Sequence, residues 1–345
     1  MFSRVSQLAR HLSRPLPSYG STSLVQRPRT TTFSYGLMAS SSAVTADERN
    51  FRTIHTAACL IIGDEVLGGK AASTNSNYFA KFCFSLGINL KRIEVIEDDE
   101  DEIIEAVRRM SNRYDFVVTS GGIGPTHDDI TYQSIAKAFD LPLVLHAKAF
   151  ELMKKISKPR PGEKPFNWDE ESPTLRAKLR MVELPTDSSR DMEKQFLFPC
   201  EDLWVPVAVV NGNVHILPGV PRLFERLLDG LKPAITPRLG DPEGKGTVRV
   251  LISTPMSESA VAPFLTELAE RVGPKGVKVG SYPRWGKNRN TVTLVGKDKE
   301  FLESIVPEVV EQVKGRVVTV EGEDDDLVEA VEAEIDTKID EKKSN

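Results

Sequence analysis

This sequence of 345 residues contains few cysteines and no long apolar run. Its three cysteines, Cys59, Cys83 and Cys200, form no C-x-x-C pair and have no histidine at metal-ligand spacing. Such scattered cysteines indicate thiols in a reducing compartment and argue against a disulfide framework or a cysteine nucleophile. No apolar stretch approaches the ~20 residues that span a bilayer, so any membrane association is expected to be peripheral.

Acidic residues and lysines are missing from the first 46 residues. This segment holds five arginines and ten serines, and Asp47 is the first carboxylate of the chain. An arginine-rich, serine-rich and acid-poor composition is typical of a mitochondrial transit peptide. We therefore predict a leader over residues 1–46 and a location in the mitochondrial matrix. Met38 could start a second, cytoplasmic form, and a disordered basic tail without a targeting role stays an open alternative.

The body of the chain has too little positive charge for a nucleic-acid-binding protein. The sequence has 45 basic and 50 acidic residues, and without the five leader arginines 40 basic residues face 50 acidic ones, a net charge near −10. This balance argues against nucleic acid and anionic membranes as partners. An anionic ligand would have to be held by backbone N–H groups, a helix N-terminus, a metal ion or a few placed cations.

Alternating strand and helix patterns predict an α/β fold for residues 52–235. Apolar runs indicate buried strands, and the segments between them have helical spacing of apolar residues. The predicted elements are strands at 55–63, 90–96 and 116–120 and helices at 75–86, 101–110 and 128–139. This alternation is typical of a doubly wound, mostly parallel sheet, in which ligands bind at the carboxyl ends of the strands.

The rest of the sequence indicates a hairpin, a linker, a second domain and a tail. An Asn-Gly-Asn turn before residue 214 predicts a hairpin, and residues 157–204, rich in proline and charge, are expected to be mostly loop with short helical pieces. Residues 236–246 are predicted as a linker because of their glycines and prolines. A β-α-β-β-α-β pattern over 247–322 predicts a smaller ferredoxin-like α+β domain, and residues 323–345 form an acidic tail that we expect to be partly disordered.

The glycine-rich segment 121–129, Gly-Gly-Ile-Gly-Pro-Thr-His-Asp-Asp, joins the third predicted strand to the following helix. Three glycines let the backbone approach a ligand closely and turn the backbone N–H groups toward that ligand. We therefore expect a phosphate group to bind here. Asp128 and Asp129 would suit Mg²⁺ or a similar hard cation that bridges to phosphate oxygens. The plainer alternative is a tight turn before a helix that Thr126 caps, with Asp129 three residues on.

Two further candidates follow strands at the same predicted edge of the sheet. Asp64 and Glu65 come after the first strand and could bind a metal or act as a general base on water, with a solvated loop as the alternative. Pro218 and Gly219 come after the hairpin and open a helix, for which simple helix initiation is the plainer explanation.

One aromatic segment lies in the second predicted domain. Tyr282 and Trp285 bracket a proline and an arginine within residues 281–286, between two predicted strands. The two rings could stack on a flat ligand ring, or they could form a hydrophobic plug at the domain interface.

These motifs make the chain resemble a known family. The segments GDEVLGG, TNSNYFA, SGGIGPTHDDIT and LPGVP resemble the molybdopterin-binding (MoaB/Mog-like) family in its CinA-type branch. The likeness is strongest to the corresponding domain of eukaryotic FAD synthase, where it extends to GSYPRWGKN, and it covers about residues 52–322. The resemblance implies a MoaB/Mog-like fold and a site that handles phosphates or dinucleotides.

The resemblance also implies an activity and a set of site residues. CinA-type domains hydrolyse ADP-ribose-like substrates with a divalent metal, and the FAD synthase domain is associated with hydrolysis of FAD to FMN and AMP. We therefore expect a pyrophosphatase that uses Mg²⁺, Mn²⁺ or Co²⁺ and acts on FAD or ADP-ribose. Carried onto this sequence, the family's motifs fall on Gly63, Asp64, Glu65, Thr74, Asn75, Gly121, Gly122, Gly124, Thr126, Asp128, Asp129, Pro218, Gly219 and Pro221.

Roles are assigned within that set. We expect Glu65, Asp128 and Asp129 to be catalytic and, together with Asp64, to hold the metal. The remaining expected ligand-binding residues are the loop positions and the two aromatic residues of the second domain: Thr74, Asn75, Gly121, Gly122, Gly124, Thr126, Pro218, Gly219, Tyr282 and Trp285.

The sequence departs from the family's pattern in two places. Arg222 and Leu223 stand where a carboxylate usually follows the Pro-Gly-x-Pro loop, and the chain ends at Asn345 without the adenylylating domain of FAD synthase, so we expect no FAD synthesis. Two other functions stay open, namely molybdopterin binding or adenylyl transfer in molybdenum-cofactor assembly and a non-catalytic flavin-binding module. The apolar content and the fold also allow a homo-oligomer.

Overall fold

The computed structural model describes residues 44–158, 162, 166–243, 246–284, 287 and 289–323. Most of the predicted leader, including Met38, lies outside the described residues, as do Trp285 and the predicted tail from residue 324 onward. The predictions made for those residues therefore stay predictions.

A six-stranded, mostly parallel sheet organises the first part of the chain. Its strands lie in the order β2-β1-β3-β8-β7-β6. Strands β2, β1, β3 and β8 are parallel, whereas β7 runs antiparallel to both of its neighbours. Together with a two-stranded ribbon, the strands are β1 Thr56–Ile62, β2 Asn89–Ile96, β3 Phe116–Ser120, β4 Leu143–Leu145, β5 Glu183–Pro185, β6 Phe196–Leu197, β7 Val207–Val210 and β8 Val214–Leu217.

Helices cover both faces of this sheet, because successive side chains of the buried strands point to opposite sides. One core contains Phe79, Phe116 and Phe224, and the other contains Ile103 and Met110. The predicted doubly wound α/β fold is therefore confirmed. The helices are α1 Ala46–Phe51, α2 Asp64–Leu67, α3 Thr74–Ser85, α4 Glu100–Arg113, α5 Thr131–Ala138, α6 Ala147–Ile156, α7 Pro173–Arg180, α8 Met192–Gln195, α9 Pro221–Gly230 and α10 Lys232–Ile235.

The predicted hairpin is confirmed at the turn between β7 and β8. Asn211 and Gly212 adopt positive φ values of 51° and 76° within a three-residue turn, since Val210 pairs with Val214. A Cβ at Gly212 would lie 1.8 Å from the carbonyl oxygen of Ala46, so helix α1 packs directly against the turn.

Helix α1 is fastened at its start and along its side. The Thr45 side chain accepts a hydrogen bond from the N–H of Glu48, and the Glu48 carboxylate accepts one from the N–H of Thr45. Asp47 forms an ion pair with Arg190, whose side chain is only 6% exposed, at 2.9 Å. This short helix therefore belongs to the fold of the first sheet, although the predicted domain begins only at residue 52.

Residues 157–204 contain two short helices, α7 and α8, as predicted, and also strands that we did not predict. Strand β5 pairs with β4, and β6 pairs with β7. Strands β4, β5 and β6 have only two or three residues each, which is too short for a pattern of alternating apolar residues to show in the sequence.

A four-stranded antiparallel sheet organises the second part of the chain, in the order β10-β11-β9-β12. Its elements are β9 Val248–Thr254, α11 Glu258–Val272, β10 Lys278–Arg284, β11 Arg289–Gly296, α12 Lys299–Gln312 and β12 Arg316–Val318. Ile252, Val292 and Leu294 face the helices and form the core with them. The predicted β-α-β-β-α-β fold is confirmed.

The predicted linker starts within ordered structure. Thr236–Arg238 forms a 3-10 turn, and Leu239 is buried in the first core, where it makes a bridge to Ile54. The apolar side chain of Leu239 explains why these residues pack although glycines and prolines surround them. The domain boundaries themselves stay predictions.

Neither a membrane span nor a reactive thiol is found among the described residues. The helix with the most residues, α11, has 15, and none of the described helices is both long and apolar enough to cross a bilayer. Cys59 and Cys83 are buried, and burial raises the pKa of the Cys59 thiol to about 12. A buried, protonated thiol is a poor nucleophile, as the sequence led us to expect.

Candidate active site

The carboxyl ends of four parallel strands meet at one edge of the first sheet, as the topology requires. The segments that follow β1, β2, β3 and β8 surround a cleft of about 380 Å³. The side chains and backbone that line it belong to Ile62, Glu65, Asp98, Gly121, Gly122, Ile123, Gly124, Asp128, Asp129, Met181, Trp204, Val205, Pro218, Gly219, Val220 and Leu223. The cleft therefore lies where the sequence predicts a ligand site.

The glycine loop after β3 has a backbone that other residues cannot adopt without strain. Gly121 and Gly122 have φ values of 113° and 65°, and a Cβ at Gly121 would lie 2.0 Å from the carbonyl oxygen of Ile62. Thr131, the first residue of α5, holds the loop from below. Its hydroxyl donates to the carbonyl of Gly121 and its N–H donates to that of Gly122, both at 2.9 Å.

Helix α5 begins at Thr131, so the predicted helix over 128–139 is wrong in its first residues. Thr126 does not cap a helix. Instead, its N–H and its hydroxyl both donate to one carboxylate oxygen of Asp129, and the N–H of Asp129 donates to the carbonyl of Thr126 at 3.3 Å. The pair closes a turn within the loop, so Asp128 and Asp129 stand beside the cleft rather than in the first turn of the helix.

Asp64 and Asp98 fasten the ends of β1 and β2 to each other. The N–H of Asp64 donates to the Asp98 carboxylate at 3.1 Å, and the N–H of Asp98 donates to the Asp64 carboxylate at 3.2 Å. We did not single out Asp98 from the sequence. Its position two residues after a parallel strand is the signal that could have identified it.

Negative charge is concentrated in this cleft. Burial raises the pKa of Asp98, and the nearby charges of Asp64, Glu65 and Asp128 raise it further, whereas the hydrogen bond from the Asp64 N–H opposes the rise. Four carboxylates line the cleft, those of Glu65, Asp98, Asp128 and Asp129, and no lysine, arginine or histidine is part of the lining. Such a site attracts cations and repels a free phosphate.

The donor set fits a hard divalent cation in its chemistry, since carboxylate oxygens are the ligands that Mg²⁺ and similar ions prefer. Within the described part of the chain, no three histidine, cysteine, aspartate or glutamate side chains are gathered closely enough to form a metal site. The carboxylates of the predicted metal ligands Glu65, Asp128 and Asp129 border the cleft without converging on one point. A bound ion would have to draw them together.

The Asn75 side chain connects the end of β3 to the loop that follows β8. Its side chain is 6% exposed, and its amide nitrogen donates to the Ser120 hydroxyl at 2.9 Å and to the carbonyl of Gly219 at 2.8 Å. A Cβ at Gly219 would lie 3.2 Å from the Cα of Gly121, so the loops are in contact. The structure thus places Asn75 below the ligand-facing backbone, and Thr74 starts α3 on the surface, outside the lining of the cleft.

Positive charge approaches the cleft only from its rim. The guanidinium of Arg180 donates to the carbonyl of Asp129 at 3.0 Å. The Thr126 side chain is the main cause that lowers the pKa of Asp128, and the charges of His127 and Arg180 add to it. We did not single out Arg180 from the sequence, because its helix is a short one within the segment that we predicted as mostly loop.

Two positions singled out in the sequence lie elsewhere. Tyr282 belongs to strand β10 of the second sheet and is not part of the cleft lining. The predicted loop at 281–286 is shorter than expected, because residues through Arg284 pair with β11. Arg222 is exposed in the first turn of α9, whereas its neighbour Leu223 lines the cleft.

Comparison with known proteins matches both parts of the chain. Residues 58–237 match the family described as a probable molybdopterin binding domain, and residues 248–321 match the FAD synthase middle domain. A probable FAD synthase of Caenorhabditis elegans is 32% identical over 283 residues, which cover 76% of this chain and 51% of that protein. The chain thus spans about half the length of this relative.

Prokaryotic relatives are also found. A CinA-like protein of Anaeromyxobacter dehalogenans is 29% identical over 286 residues, which cover 79% of this chain and 63% of that protein. The crystal structure of CinA from Thermoplasma acidophilum, a protein of unknown function, is 29% identical and covers 53% of this chain and 98% of its own, with a TM-score of 0.42. The second part of the chain matches the FAD synthase middle domain. The chain itself belongs to the molybdopterin-binding (MoaB/Mog-like) domain family in its CinA-type branch.

Proposed function

We propose that this protein is a metal-dependent nucleotide pyrophosphatase that hydrolyses the phosphoanhydride of FAD or ADP-ribose and releases AMP. The observation that carries the proposal is the meeting of the glycine loop with four carboxylates around one cleft. Backbone N–H groups suit phosphate oxygens, but a cleft lined by carboxylates alone would repel a diphosphate. A divalent cation resolves this conflict, because it binds the carboxylates and the phosphate together.

Different residues of the chain would bind the cation, hold the diphosphate and accept a proton. Glu65, Asp128 and Asp64 would hold the cation, which when bound would offset the charge of the phosphates and acidify water. The backbone of Gly121–Gly124 would hold the diphosphate and stabilise charge that develops on it. Asp98, whose raised pKa favours proton uptake, would accept a proton from the attacking water. The water oxygen joins one phosphorus as the bridging P–O bond breaks, and FAD yields FMN and AMP.

The choice of a flavin nucleotide is supported by the relatives. The matched worm proteins are called probable FAD synthases, and the second part of this chain matches a FAD synthase middle domain. Hydrolysis is supported by the cleft, whose carboxylates would bind a cation and position a water molecule. ADP-ribose shares the ADP moiety with FAD and is the second substrate that the cleft would accept.

The test is product analysis by liquid chromatography. The full chain is incubated with FAD, ADP-ribose or NAD in the presence of Mg²⁺, Mn²⁺, Co²⁺ or EDTA, and a further sample receives FMN and ATP. We expect AMP from FAD or ADP-ribose with metal and none with EDTA. FAD formed from FMN and ATP, or AMP release that EDTA does not stop, would contradict the proposal. Binding of FAD without AMP would favour a binding module, with molybdopterin as the next ligand to try.

A pair of variants ties the activity to this cleft. Asp128→Ala is expected to abolish AMP release, because it removes a carboxylate that borders the glycine loop. Glu97→Ala removes an exposed carboxylate next to Asp98 that does not line the cleft, and it should keep the wild-type rate. Equal rates for the two variants would show that the roles are assigned to the wrong residues.

A further inference from the structure

The cleft at the edge of the first sheet has an acidic half and an apolar half, and the strand order determines where each lies. The four carboxylates of the lining follow β1, β2 and β3, which are adjacent in the sheet. Strand β7 runs antiparallel to β8, so its beginning lies at the same edge as the end of β8. The side chains of the lining that follow β8 or precede β7 are all apolar or aromatic, namely Trp204, Val205, Pro218, Val220 and Leu223.

The glycine loop lies between these two halves, because it follows β3 and β3 pairs with β8. A diphosphate held by the loop would therefore have carboxylates on one side and apolar side chains on the other. The cleft of about 380 Å³ is near the lower end of the range of roughly 300–1,000 Å³ for ligand pockets. It can enclose a diphosphate and one ring system of a dinucleotide, and the apolar half is the part that suits the ring.

The indole ring of Trp204 is held in place but is not used by the protein's own aromatic or polar contacts. It is half-buried and packs against two hydrophobic clusters, the core that contains Phe224 and a smaller one that contains Met153. Among the described residues, no aromatic ring stacks on Trp204 and none accepts a hydrogen bond from its N–H. Trp168, by contrast, packs edge-on against the ring of Phe150. Trp204 therefore offers a preorganised ring to a ligand.

The chemistry of the apolar half favours a flavin ring over adenine. Adenine carries nitrogen donors and acceptors around most of its edge, and side chains such as those of Val205 and Leu223 would leave these groups without hydrogen bonds. The isoalloxazine ring has a dimethylbenzene edge without polar atoms, so this edge loses no hydrogen bond when it is buried against the same side chains. The flat face of the ring can stack on Trp204.

We propose that the apolar half, defined by Trp204, Val205, Pro218, Val220 and Leu223 and called the ring wall, binds the isoalloxazine ring and so selects FAD over ADP-ribose. The FMN end of FAD then lies in the cleft, and the adenosine end extends out of it. The inference rests on the proposed function for the place of the diphosphate. Binding of the ring itself requires neither a cation nor hydrolysis.

Titration of the full chain with riboflavin in EDTA, followed by flavin fluorescence and by competition with adenosine, tests the proposal. Neither probe carries a phosphate, so neither needs a cation. We expect riboflavin to bind more tightly than adenosine and to lose fluorescence, because an indole that stacks on a flavin quenches it. Trp204→Ala should weaken riboflavin about tenfold, the size of effect that a lost stacking partner gives. Trp204→Phe should keep most of the affinity and lose most of the quenching.

A second variant keeps the test decisive if the loss of Trp204 disturbs the fold. Val220 is 56% exposed and is the N-cap residue of α9, a position at which asparagine is favourable. Val220→Asn places a polar amide in the ring wall, so it should weaken riboflavin several-fold without lowering the unfolding temperature. Phe51→Ala is the control, because it removes an exposed ring that does not line the cleft, and it should bind riboflavin like the wild type.

Failure of the ring wall can be distinguished from failure of the proposed hydrolysis. Absence of riboflavin binding, tighter binding of adenosine, or wild-type affinity in both Trp204→Ala and Val220→Asn would overturn the ring wall, whether or not AMP is released. Equal rates of AMP release from FAD and from ADP-ribose would overturn the selection of FAD. Riboflavin binding without AMP release from any nucleotide would support the ring wall and contradict the hydrolysis.

Discussion

The two sheets of the chain differ in what they bring together at one edge. The first sheet is mostly parallel, so the carboxyl ends of β1, β2, β3 and β8 meet, and four carboxylates line the cleft there. The second sheet is antiparallel, so the carboxyl ends of neighbouring strands point in opposite directions. Parallel strands therefore gather the segments that form the cleft, and neighbouring antiparallel strands do not.

The two regions also differ in how they are built. The cleft depends on backbone conformation, because Gly121 and Gly122 sit at positive φ and touch other backbone or side-chain atoms closely. The described strands of the second sheet pair in a regular antiparallel register instead. Small changes in the backbone of the glycine loop should therefore destroy the cleft and spare the second sheet.

The largest effect is expected for Gly121→Ala. A Cβ there would meet the carbonyl oxygen of Ile62 and would force a positive φ on alanine, so we expect a loss of roughly 3 kcal/mol in the free energy of unfolding. Denaturant unfolding measures it. Gly124→Ala is the control, since the atoms nearest to its Cβ would belong to the Asp129 side chain rather than to the backbone. Equal stabilities for the two variants would mean that the loop is less rigid than described.

Asp98→Asn should have the next largest effect, and it should lower the activity while it raises the stability at neutral pH. Metal-dependent AMP release should fall roughly 100-fold, the lower end of what a positioned general base contributes. Because the folded protein raises the pKa of Asp98, its carboxyl stabilises the fold at low pH, and this contribution is lost as the pH rises through the raised pKa.

The pH dependence of the unfolding temperature tests the Asp98→Asn variant. In EDTA at neutral pH, Asp98→Asn should unfold at a higher temperature than the wild type, and the difference should vanish as the pH falls below about 4, the ordinary pKa of aspartate. A variant that is less stable than the wild type at neutral pH would show that the hydrogen bond from Asp64 outweighs burial and like-charge repulsion at this carboxylate.

Strand patterns were the part of the fold that the sequence could predict. The five-residue strand β3 was predicted with its observed ends, because its residues are apolar or small and Gly121 follows directly. The β-α-β-β-α-β order was predicted for the same reason. The start of α5 was not, since Thr126 and Asp129 have the spacing of a helix cap and only the structure shows them closing a turn.

The sequence could predict where the site lies but not all of the residues that form it. The glycine loop, Glu65 and Asp128 were found because they form local motifs at a strand end. Asp98 is one acidic residue in a run of several, and the register of β2 against β1 decides which of them reaches Asp64. The role of Asn75 under two loops depends on contacts with residues 45 and 144 positions away, which no local pattern reveals.

The fastening of helix α1 sets a limit on how the chain can be trimmed. Thr45 caps the helix, and Asp47 reaches the buried guanidinium of Arg190. A protease that cut after residue 46 would remove the cap and leave a new positively charged amino group at the helix end that favours negative charge. If the amino-terminal segment is removed during maturation, the cut has to fall before Thr45, so that the mature chain keeps the first turn of α1.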